Sequence, residues 1–360
     1  MQKKTYAVIV GSGSYIPTIK IPNSHFLNHS FYDSSGKLFD RSNVEIIDKF
    51  AQITGIKERR YVESNQVASD IGALAAKATL ENSDIDPETI DQIIVAHNFG
   101  DVSEDKKFID QVPALSARIK YQLNIENPDC VAYDIPFGCA GWLQGIIQAK
   151  TFIESGIAKR ILVIGTETIS RIVDPHDRDS MIFADGAGAV LLEAKKSEIP
   201  IGILHAKART FAVPHAHILR MGNSYNTDEN SPLLKIKMEG RRLYEQVITH
   251  VPAIIKECLE EAEISIHEIS NFLLHQANEK MDEAILKRLY KLYDIKEVPL
   301  EKMPMTISFL GNSSVATLPT LYDLIKKELL EGHKIKSGEK IIFSSVGAGI
   351  NLNALVYQEP

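Results

Sequence analysis

Ala73-Leu-Ala-Ala-Lys-Ala-Thr-Leu-Glu-Asn-Ser-Asp-Ile85 recurs at an offset of 179 positions as Pro252-Ala-Ile-Ile-Lys-Glu-Cys-Leu-Glu-Glu-Ala-Glu-Ile264. Both copies have the apolar spacing of an amphipathic helix, which a polar turn and a short apolar strand follow, 93–95 in the first copy and 272–274 in the second. Identical residues align without a gap at five positions: Lys77, Leu80, Glu81, Ile85 and Ile90 over Lys256, Leu259, Glu260, Ile264 and Ile269. The pattern indicates an internal duplication.

The order of elements further along the chain repeats as well. Each half has a glycine-marked turn that enters a helix (138–153 and 311–330), and then a charged turn and an apolar strand (160–164 and 340–343). Helix-turn-strand units are common, so chance is the competing explanation. Two related α/β halves, residues 1–199 and 200–360, with largely buried sheets are the simpler one.

The duplication has a geometric consequence for function. The turn that holds Cys139 becomes equivalent to the turn that holds Asn312, and His275 follows an apolar strand in the second half. We therefore expect these three side chains to meet at the seam between the halves.

Composition excludes several classes of protein. The chain has 360 residues, 44% of them hydrophobic and 24% charged, with a net charge of -7. An excess of acidic charge disfavours general binding to nucleic acid or to anionic membranes. No apolar run approaches the roughly 18 to 20 residues of a membrane span, and the first ten residues resemble a strand and not a signal peptide. We expect a cytoplasmic protein.

The three cysteines, Cys130, Cys139 and Cys258, are too few and too irregularly spaced for a disulfide framework or a metal site. Cys139 stands after a strand and at the start of a helix, where the helix dipole and free N–H groups favour a reactive thiolate. A buried packing role is the alternative, and it suits Cys130 and Cys258.

Two polar residues of the second half are candidate partners of Cys139. His275 lies at the end of an apolar strand and precedes small and polar residues, although most single histidines are structural. Asn312 lies in a glycine-containing turn, where its amide could instead cap a helix. The small residues of 344–350 could let the backbone approach a ligand or form a tight turn.

At these residues the chain resembles the thiolase-like condensing enzymes, and specifically the β-ketoacyl-acyl-carrier-protein synthase III family. The resemblance covers nearly the whole chain through seven motifs in order: Gly11-Ser-Gly-Ser-Tyr-Ile-Pro17, Thr54-Gly-Ile-Lys-Glu-Arg59, Pro136-Phe-Gly-Cys-Ala-Gly141, Asp174-Pro-His-Asp-Arg178, Phe183-Ala-Asp-Gly-Ala-Gly188, His275-Gln-Ala-Asn278 and Gly311-Asn-Ser-Ser314. It implies an α/β thiolase-like fold of two duplicated halves, with mixed five-stranded sheets in a layered αβαβα core. The first motif is no Rossmann fingerprint, because Ile16 stands in place of the third glycine.

The resemblance also implies a mechanism. Cys139 takes an acyl group from a thioester, and the N–H groups of Cys139 and Ala348 form the oxyanion hole. His275 and Asn312 then stabilise the enolate that forms when a malonyl thioester loses carbon dioxide, and the enolate attacks the acyl group. The substrates are acyl and malonyl thioesters of coenzyme A or acyl-carrier protein, and we expect no cofactor and no metal.

Other residues bear on substrates and partners by resemblance. Arg178 matches an arginine that holds coenzyme A, but Lys49 replaces its usual tryptophan partner. Lys280 matches a basic position of the carrier-protein dock, although a solvated helix face is an equally good explanation. The family is homodimeric. The segments 24–43 and 205–236 are longer than usual, and we expect them to reshape the acyl pocket.

Several functions compete with simple condensation. No cysteine follows Cys258, which excludes the acid-base exchange of a thiolase. A relative in secondary metabolism could join and cyclise two acyl chains to a dialkylresorcinol or cyclohexanedione. A cysteine acyl hydrolase or acyltransferase is a further candidate, and so is a scaffold that only binds carrier protein.

Overall fold

The structure, a computed structural model, describes residues 3–105, 108–229 and 233–360. The strands of the first half are β1 (Lys4–Tyr15), β2 (Ile19–Pro22), β3 (Glu58–Tyr61), β4 (Gln92–Ala96), β5 (Asp101–Val102), β6 (Ile109–Asp110), β7 (Val131–Ile135), β8 (Arg160–Thr168) and β9 (Asp185–Ser197). Its helices are α1 (Asn43–Thr54), α2 (Ala68–Glu81), α3 (Leu115–Gln122) and α4 (Gly141–Glu154).

The second half repeats the main strands and helices of the first, with fewer short strands among the described residues. Its strands are β10 (Gly202–Thr210), β11 (Leu219–Gly222), β12 (Lys235–Met238), β13 (Ile269–Leu274), β14 (Lys340–Gly347) and β15 (Asn351–Gln358). Its helices are α5 (Ala212–His215), α6 (Gly240–Glu261), α7 (Glu279–Lys291), α8 (Ile307–Leu310) and α9 (Thr317–Lys326).

The two large sheets have the same strand order. The first runs β1-β9-β8-β4-β7, and the second runs β10-β15-β14-β13. In each sheet the first two neighbouring pairs are antiparallel, and the pairs after the third strand are parallel. The α/β class and the repeat of elements agree with the sequence expectation.

One expectation about the sheets is wrong. We expected five strands in each sheet, but within the described residues the second sheet has four. The segment that would correspond to β7 precedes α8. Its backbone forms hydrogen bonds with the side chain of Gln276 and not with a neighbouring strand. Gln276 donates to the Pro304 carbonyl (2.8 Å) and accepts from the Thr306 N–H (2.7 Å). Because Pro304 has no backbone N–H, the segment cannot form a regular ladder at that position.

The layers follow the expected αβαβα order. Helices α2 and α3 cover the outer face of the first sheet, α4 and α9 lie between the sheets, and α6 and α7 cover the outer side of the second. Both faces of each sheet are therefore covered, which explains why β4 and β8 are nearly continuous apolar runs.

The middle apolar core belongs to both halves. Trp142 and Leu143 of α4 share one cluster with Leu318 and Tyr322 of α9. The short connection between β9 and β10 contains the 199/200 boundary, but the halves close this core only together. The seam between them is thus a packed interior, and a site there can be shielded from water.

In the part of the chain that the structure describes, no helix is both long enough and apolar enough to cross a bilayer.

Candidate active site

Cys139, His275 and Asn312 line one cavity of about 700 Å³ at the seam between the halves. Much of the wall is apolar and comes from α1, α6 and α7: Ile46, Phe50, Ile53, Leu243, Val247 and Met281. The structure therefore brings together the three side chains that the sequence singled out, beside a wall suited to an apolar substrate.

Cys139 lies in a single 3-10 turn, Gly138–Ala140, between β7 and α4. Two glycines let the loop after β14 approach this turn closely. Gly138 has a φ of +65°, and a Cβ there would lie 2.5 Å from the Ala348 backbone nitrogen. A Cβ at Gly347 would lie 2.5 Å from the Cys139 backbone nitrogen. The backbone N–H groups of Cys139 and Ala348 are thus brought to neighbouring positions.

Burial acts against the thiolate that the start of a helix favours at Cys139. Burial raises the pKa of the thiol to about 11, the hydrogen bond from Ser314 opposes this rise, and the carboxylate of Glu167 adds to it. Helix α4 begins only at Gly141, so Cys139 precedes its first turn. The loss of hydration outweighs the local benefit of the helix terminus, and the sulfur rests as a thiol.

His275 directly follows β13, and its backbone N–H donates to the Ser344 carbonyl at 2.9 Å. Its Nδ1 lies 2.7 Å from the hydroxyl of Thr317. Burial lowers the pKa of the imidazole to about 4, so the ring is neutral near pH 7. Since Thr317 occupies Nδ1, Nε2 is the ring nitrogen left for a ligand in the cavity.

The amide of Asn312 is held by its oxygen. Oδ1 accepts a hydrogen bond from the Ser314 N–H at 2.8 Å, and the Asn312 backbone pairs with Ile182 and Ala184 on either side of Phe183. Among the described residues the Nδ2 group has no hydrogen-bond partner, and Asn312 lines the cavity. Asn312 therefore caps neither of the helices that follow it; a hydrogen bond within its own turn holds the amide oxygen, and the nitrogen is left for substrate.

Sequence reasoning missed a polar network behind Cys139. Glu167, at the end of β8, accepts two hydrogen bonds from Asn98 at Oε2, from the backbone N–H (3.1 Å) and from Nδ2 (2.7 Å). Asn98 Nδ2 also donates to the Ser314 hydroxyl (3.2 Å), which donates to the Cys139 sulfur (3.1 Å). The sequence offered one sign of this network, which is the carboxylate of Glu167 within the apolar run 160–168.

Glu167 itself is poorly solvated. It is 1% exposed, and its Oε1 has no hydrogen-bond partner among the described residues. Burial raises the pKa of this carboxyl to about 7, and the nearby charge of His97 opposes the rise. His97 is engaged elsewhere, with its Nε2 2.9 Å from Asp134, as expected for a structural histidine.

Arg178 and Lys49 both line the outer part of the cavity. The Arg178 guanidinium lies 4.9 Å from the centre of the Phe39 ring. Phe39 belongs to the long segment 24–43, and Leu219 of the segment 205–236 also lines the cavity. Both long segments therefore contribute to its wall, as the sequence predicted.

Lys280 is exposed on α7 and outside the cavity wall. Of the basic residues on this helix, Lys287 pairs with Glu283 at 2.7 Å, while Lys280 and Arg288 make no ion pair within the described residues. Asp282 is fully buried, and burial raises the pKa of its carboxyl well above the ordinary value. Asp282 is therefore an interior group and not part of a solvated charged face.

The other two cysteines are buried free thiols. Burial raises the pKa of Cys130, and raises that of Cys258 to about 12. The Cys258 sulfur makes a long contact with the Ala354 carbonyl, at 3.6 Å. The expectation that both have packing roles is confirmed.

Comparison with known proteins agrees with this geometry. Residues 133–210 match the family model of 3-oxoacyl-[acyl-carrier-protein] synthase III, and residues 259–358 match the model of its C-terminal part. A β-ketoacyl-[acyl-carrier-protein] synthase III of Prochlorococcus marinus is 32% identical over 97% of this chain and 94% of the relative. One from Neisseria meningitidis serogroup B is 31% identical over 98% and 99%.

The fold comparison gives the same result. The crystal structure of a β-ketoacyl-[acyl-carrier-protein] synthase III from Thermus thermophilus superposes with a TM-score of 0.80 at 26% identity, over 98% of this chain and 99% of that one. The expected thiolase-like fold is confirmed. The chain belongs to the β-ketoacyl-acyl-carrier-protein synthase III family.

Proposed function

We propose that the protein makes a β-ketoacyl thioester by decarboxylative Claisen condensation, with Cys139, His275 and Asn312 as its catalytic residues. The observation that carries the proposal is the meeting of a cysteine thiol, a neutral imidazole and an unpaired amide N–H on the wall of one apolar cavity. Two neutral hydrogen-bond donors suit the stabilisation of developing negative charge better than a carboxylate would.

In the first step the Cys139 sulfur attacks the carbonyl of an acyl thioester. The Cys139 S–H and the substrate C–S bond break, the new acyl C–S bond forms, and the thiol proton leaves with the departing thiol. The backbone N–H groups of Cys139 and Ala348, which the glycines bring together, would hold the tetrahedral oxyanion.

In the second step a malonyl thioester loses carbon dioxide. The electrons of the broken C–C bond form an enolate, whose oxygen accepts hydrogen bonds from His275 Nε2–H and Asn312 Nδ2–H. The enolate carbon attacks the acyl carbonyl, the β-ketoacyl thioester departs, and Cys139 regains a proton from water. These steps require no oxidant, metal or cofactor.

The donor role of His275 depends on its tautomer. The Thr317 hydroxyl has one proton and two neighbouring acceptors, the Ser314 carbonyl (2.9 Å) and His275 Nδ1 (2.7 Å). When Thr317 donates to Nδ1, the imidazole proton lies on Nε2 and faces the substrate. Thr317 therefore permits the tautomer that decarboxylation needs.

The curated relatives are named for acyl-carrier protein, and we propose that this chain takes at least one substrate on such a carrier. The exposed face of α7 supports a dock for an acidic carrier, because Lys280 and Arg288 are free of intramolecular ion pairs in the described structure and Asp282 is buried. Arg178, with Phe39 beneath it, lies at the cavity mouth, where the phosphate of a pantetheine arm could bind.

A homodimer in the cytoplasm completes the proposal. Strand β7 lies at the edge of the first sheet, and an open edge favours pairing with another strand. Exposed apolar side chains lie near it, with Val112, Tyr121 and Val131 exposed by 87%, 85% and 56%. Sedimentation of the intact chain tests the dimer, and a monomer at micromolar concentration would contradict it.

Product analysis separates this function from its alternatives. Acyl thioesters of different chain length are offered with malonyl-carrier protein or malonyl-coenzyme A, and the enzyme mass and the products are read by mass spectrometry. We expect an acyl adduct on Cys139, release of carbon dioxide and a β-ketoacyl thioester. Free fatty acid without carbon dioxide would indicate a hydrolase, a resorcinol or cyclohexanedione ring a cyclising enzyme, and an unmodified Cys139 a scaffold.

A further inference from the structure

Ser314 contacts two of the three proposed catalytic residues directly and reaches the third through Thr317. Its hydroxyl donates to the Cys139 sulfur at 3.1 Å, and its backbone N–H donates to Asn312 Oδ1 at 2.8 Å. Its carbonyl oxygen lies 2.9 Å from the Thr317 hydroxyl, and that hydroxyl contacts His275 Nδ1. One residue thus joins the sulfur, the amide and the support of the imidazole.

We propose that Ser314 is a positioning residue which holds the Cys139 sulfur in place and stabilises its thiolate, with its own hydroxyl oriented by Asn98 and Glu167. The inference rests on the proposed nucleophilic role of Cys139. It adds a fourth residue, from the half opposite the nucleophile, to the acylation step.

The orientation of the hydroxyl follows from counting hydrogen bonds. Asn98 Nδ2 donates to Ser314 Oγ at 3.2 Å, so that oxygen is an acceptor toward Asn98. Its single proton is then directed to the sulfur. Asn98 is itself held by Glu167, whose Oε2 accepts from both its backbone and its side chain.

The backbone of Ser314 supports a functional placement. Its φ is +54°, in the left-handed region that residues other than glycine rarely adopt. Such a conformation persists only where the surroundings enforce it, and the Asn312 side chain does so through the Ser314 N–H. The residue is 2% exposed, so its hydroxyl lies in the protein interior beside the sulfur.

A stabilising hydrogen bond matters here because the thiol is otherwise hard to ionise. Burial raises the pKa of Cys139, and the Ser314 hydrogen bond is the main influence that lowers it. The titratable groups around the sulfur are Glu167 of β8, His97 after β4 and His275 after β13. Those that line the rest of the cavity are Asp40, Arg41, Lys49, Arg178, Asp179 and Tyr244. Ser314 carries no charge, and its hydroxyl donates a hydrogen bond directly to the sulfur.

The test measures how fast iodoacetamide alkylates Cys139 between pH 6 and 10, with the modified peptide quantified by mass spectrometry. Ser314→Ala removes the hydroxyl, and Ser314→Gly removes it while accepting a φ of +54° without strain. Both variants lose a hydrogen bond to the charged thiolate. We therefore expect alkylation to be roughly tenfold to hundredfold slower, with its pH profile displaced upward by roughly one to two units.

Ser313→Ala is the matched control, because the Ser313 hydroxyl makes no hydrogen bond with any described residue, and its profile should match the wild type. A wild-type profile in Ser314→Gly would overturn the inference while leaving the proposed function intact. If the wild-type Cys139 took no label at any pH, the sulfur would be closed to the cavity, and the proposed function and the inference would fail together.

Discussion

The turn Gly138–Ala140 and the turn Ser314–Ala316 occupy equivalent places in the two halves, each directly before a central helix. The first is made of small residues and presents one sulfur. The second follows the amide of Asn312 and has one hydroxyl, that of Ser314, which donates to the sulfur. The comparison teaches that duplication gave two turns with the same place in the fold. Their different residues give the first turn a nucleophile and the second turn hydrogen-bond donors that stabilise negative charge.

The largest expected effect tests the nucleophilic turn. Cys139→Ala removes the atom that carries the acyl group, so acyl transfer to the enzyme should fall by at least about a thousandfold. Intact-protein mass spectrometry after incubation with an acyl thioester measures it. Cys130→Ala, at the buried thiol of the same half, is the control and should still be acylated. An acyl adduct on Cys139→Ala would end the assignment.

The next effect tests the stabilising turn. Asn312→Asp keeps an oxygen acceptor for the Ser314 N–H but loses the amide donor that faces the cavity. We expect malonyl-carrier-protein decarboxylation to slow by about a hundredfold to a thousandfold. Asn312→Ala, which also loses the turn hydrogen bond, should be equally slow and less stable to heat. If Asn312→Asp decarboxylated at the wild-type rate, the Asn312 amide would not be the donor that stabilises the enolate.

A smaller effect tests how the second turn supports the imidazole. Thr317→Val keeps the shape of the side chain and removes the hydroxyl 2.7 Å from His275 Nδ1, so the Nε2–H tautomer loses its support. Decarboxylation should slow about tenfold, while Thr317→Ser should retain most of the wild-type rate. Equal rates in the Val and Ser variants would show that the hydroxyl does not set the tautomer.

The smallest catalytic effect concerns the acid behind the first turn. Burial raises the pKa of Glu167 from its ordinary 4.5 to about 7, so the folded chain holds a proton that the unfolded chain releases in this window. The stability tied to that proton is complete below pH 4.5 and is lost as the pH rises through 7. The Glu167→Gln variant has no titrating group at this position, so it does not lose this stability. The difference between its free energy of unfolding and that of the wild type should therefore grow in favour of the variant by up to about 3 kcal/mol between pH 4.5 and 8.

Urea unfolding across this pH range measures the effect on stability. In the same variant, loss of the carboxylate near the sulfur should speed alkylation of Cys139 a few-fold above pH 7, because Glu167 raises the pKa of the thiol. The expected signs at Glu167 and Ser314 are opposite. A slower reaction in Glu167→Gln would show that its hold on Asn98 outweighs its charge.

The sequence by itself determined the framework. The repeat, the order of elements, and the positions of Cys139, His275 and Asn312 at strand ends and turns all rest on local patterns. Hydrophobic periodicity and glycine placement act over a few residues, and duplication then relates distant segments without any knowledge of packing. The cavity could therefore be located before its shape was known.

Only the tertiary structure decided the electrostatics and the second sheet. Ser314 meets Cys139 across 175 positions and Asn98 across 216, so no local pattern could pair them. The high pKa of Cys139 reflects burial by the whole fold, which outweighs a helix terminus visible in the sequence. Where a fifth strand of the second sheet would lie, the backbone bonds the side-chain amide of Gln276, which is 28 and 30 positions away in sequence. Desolvation and long-range hydrogen bonds are properties of assembled chains, and local sequence does not record them.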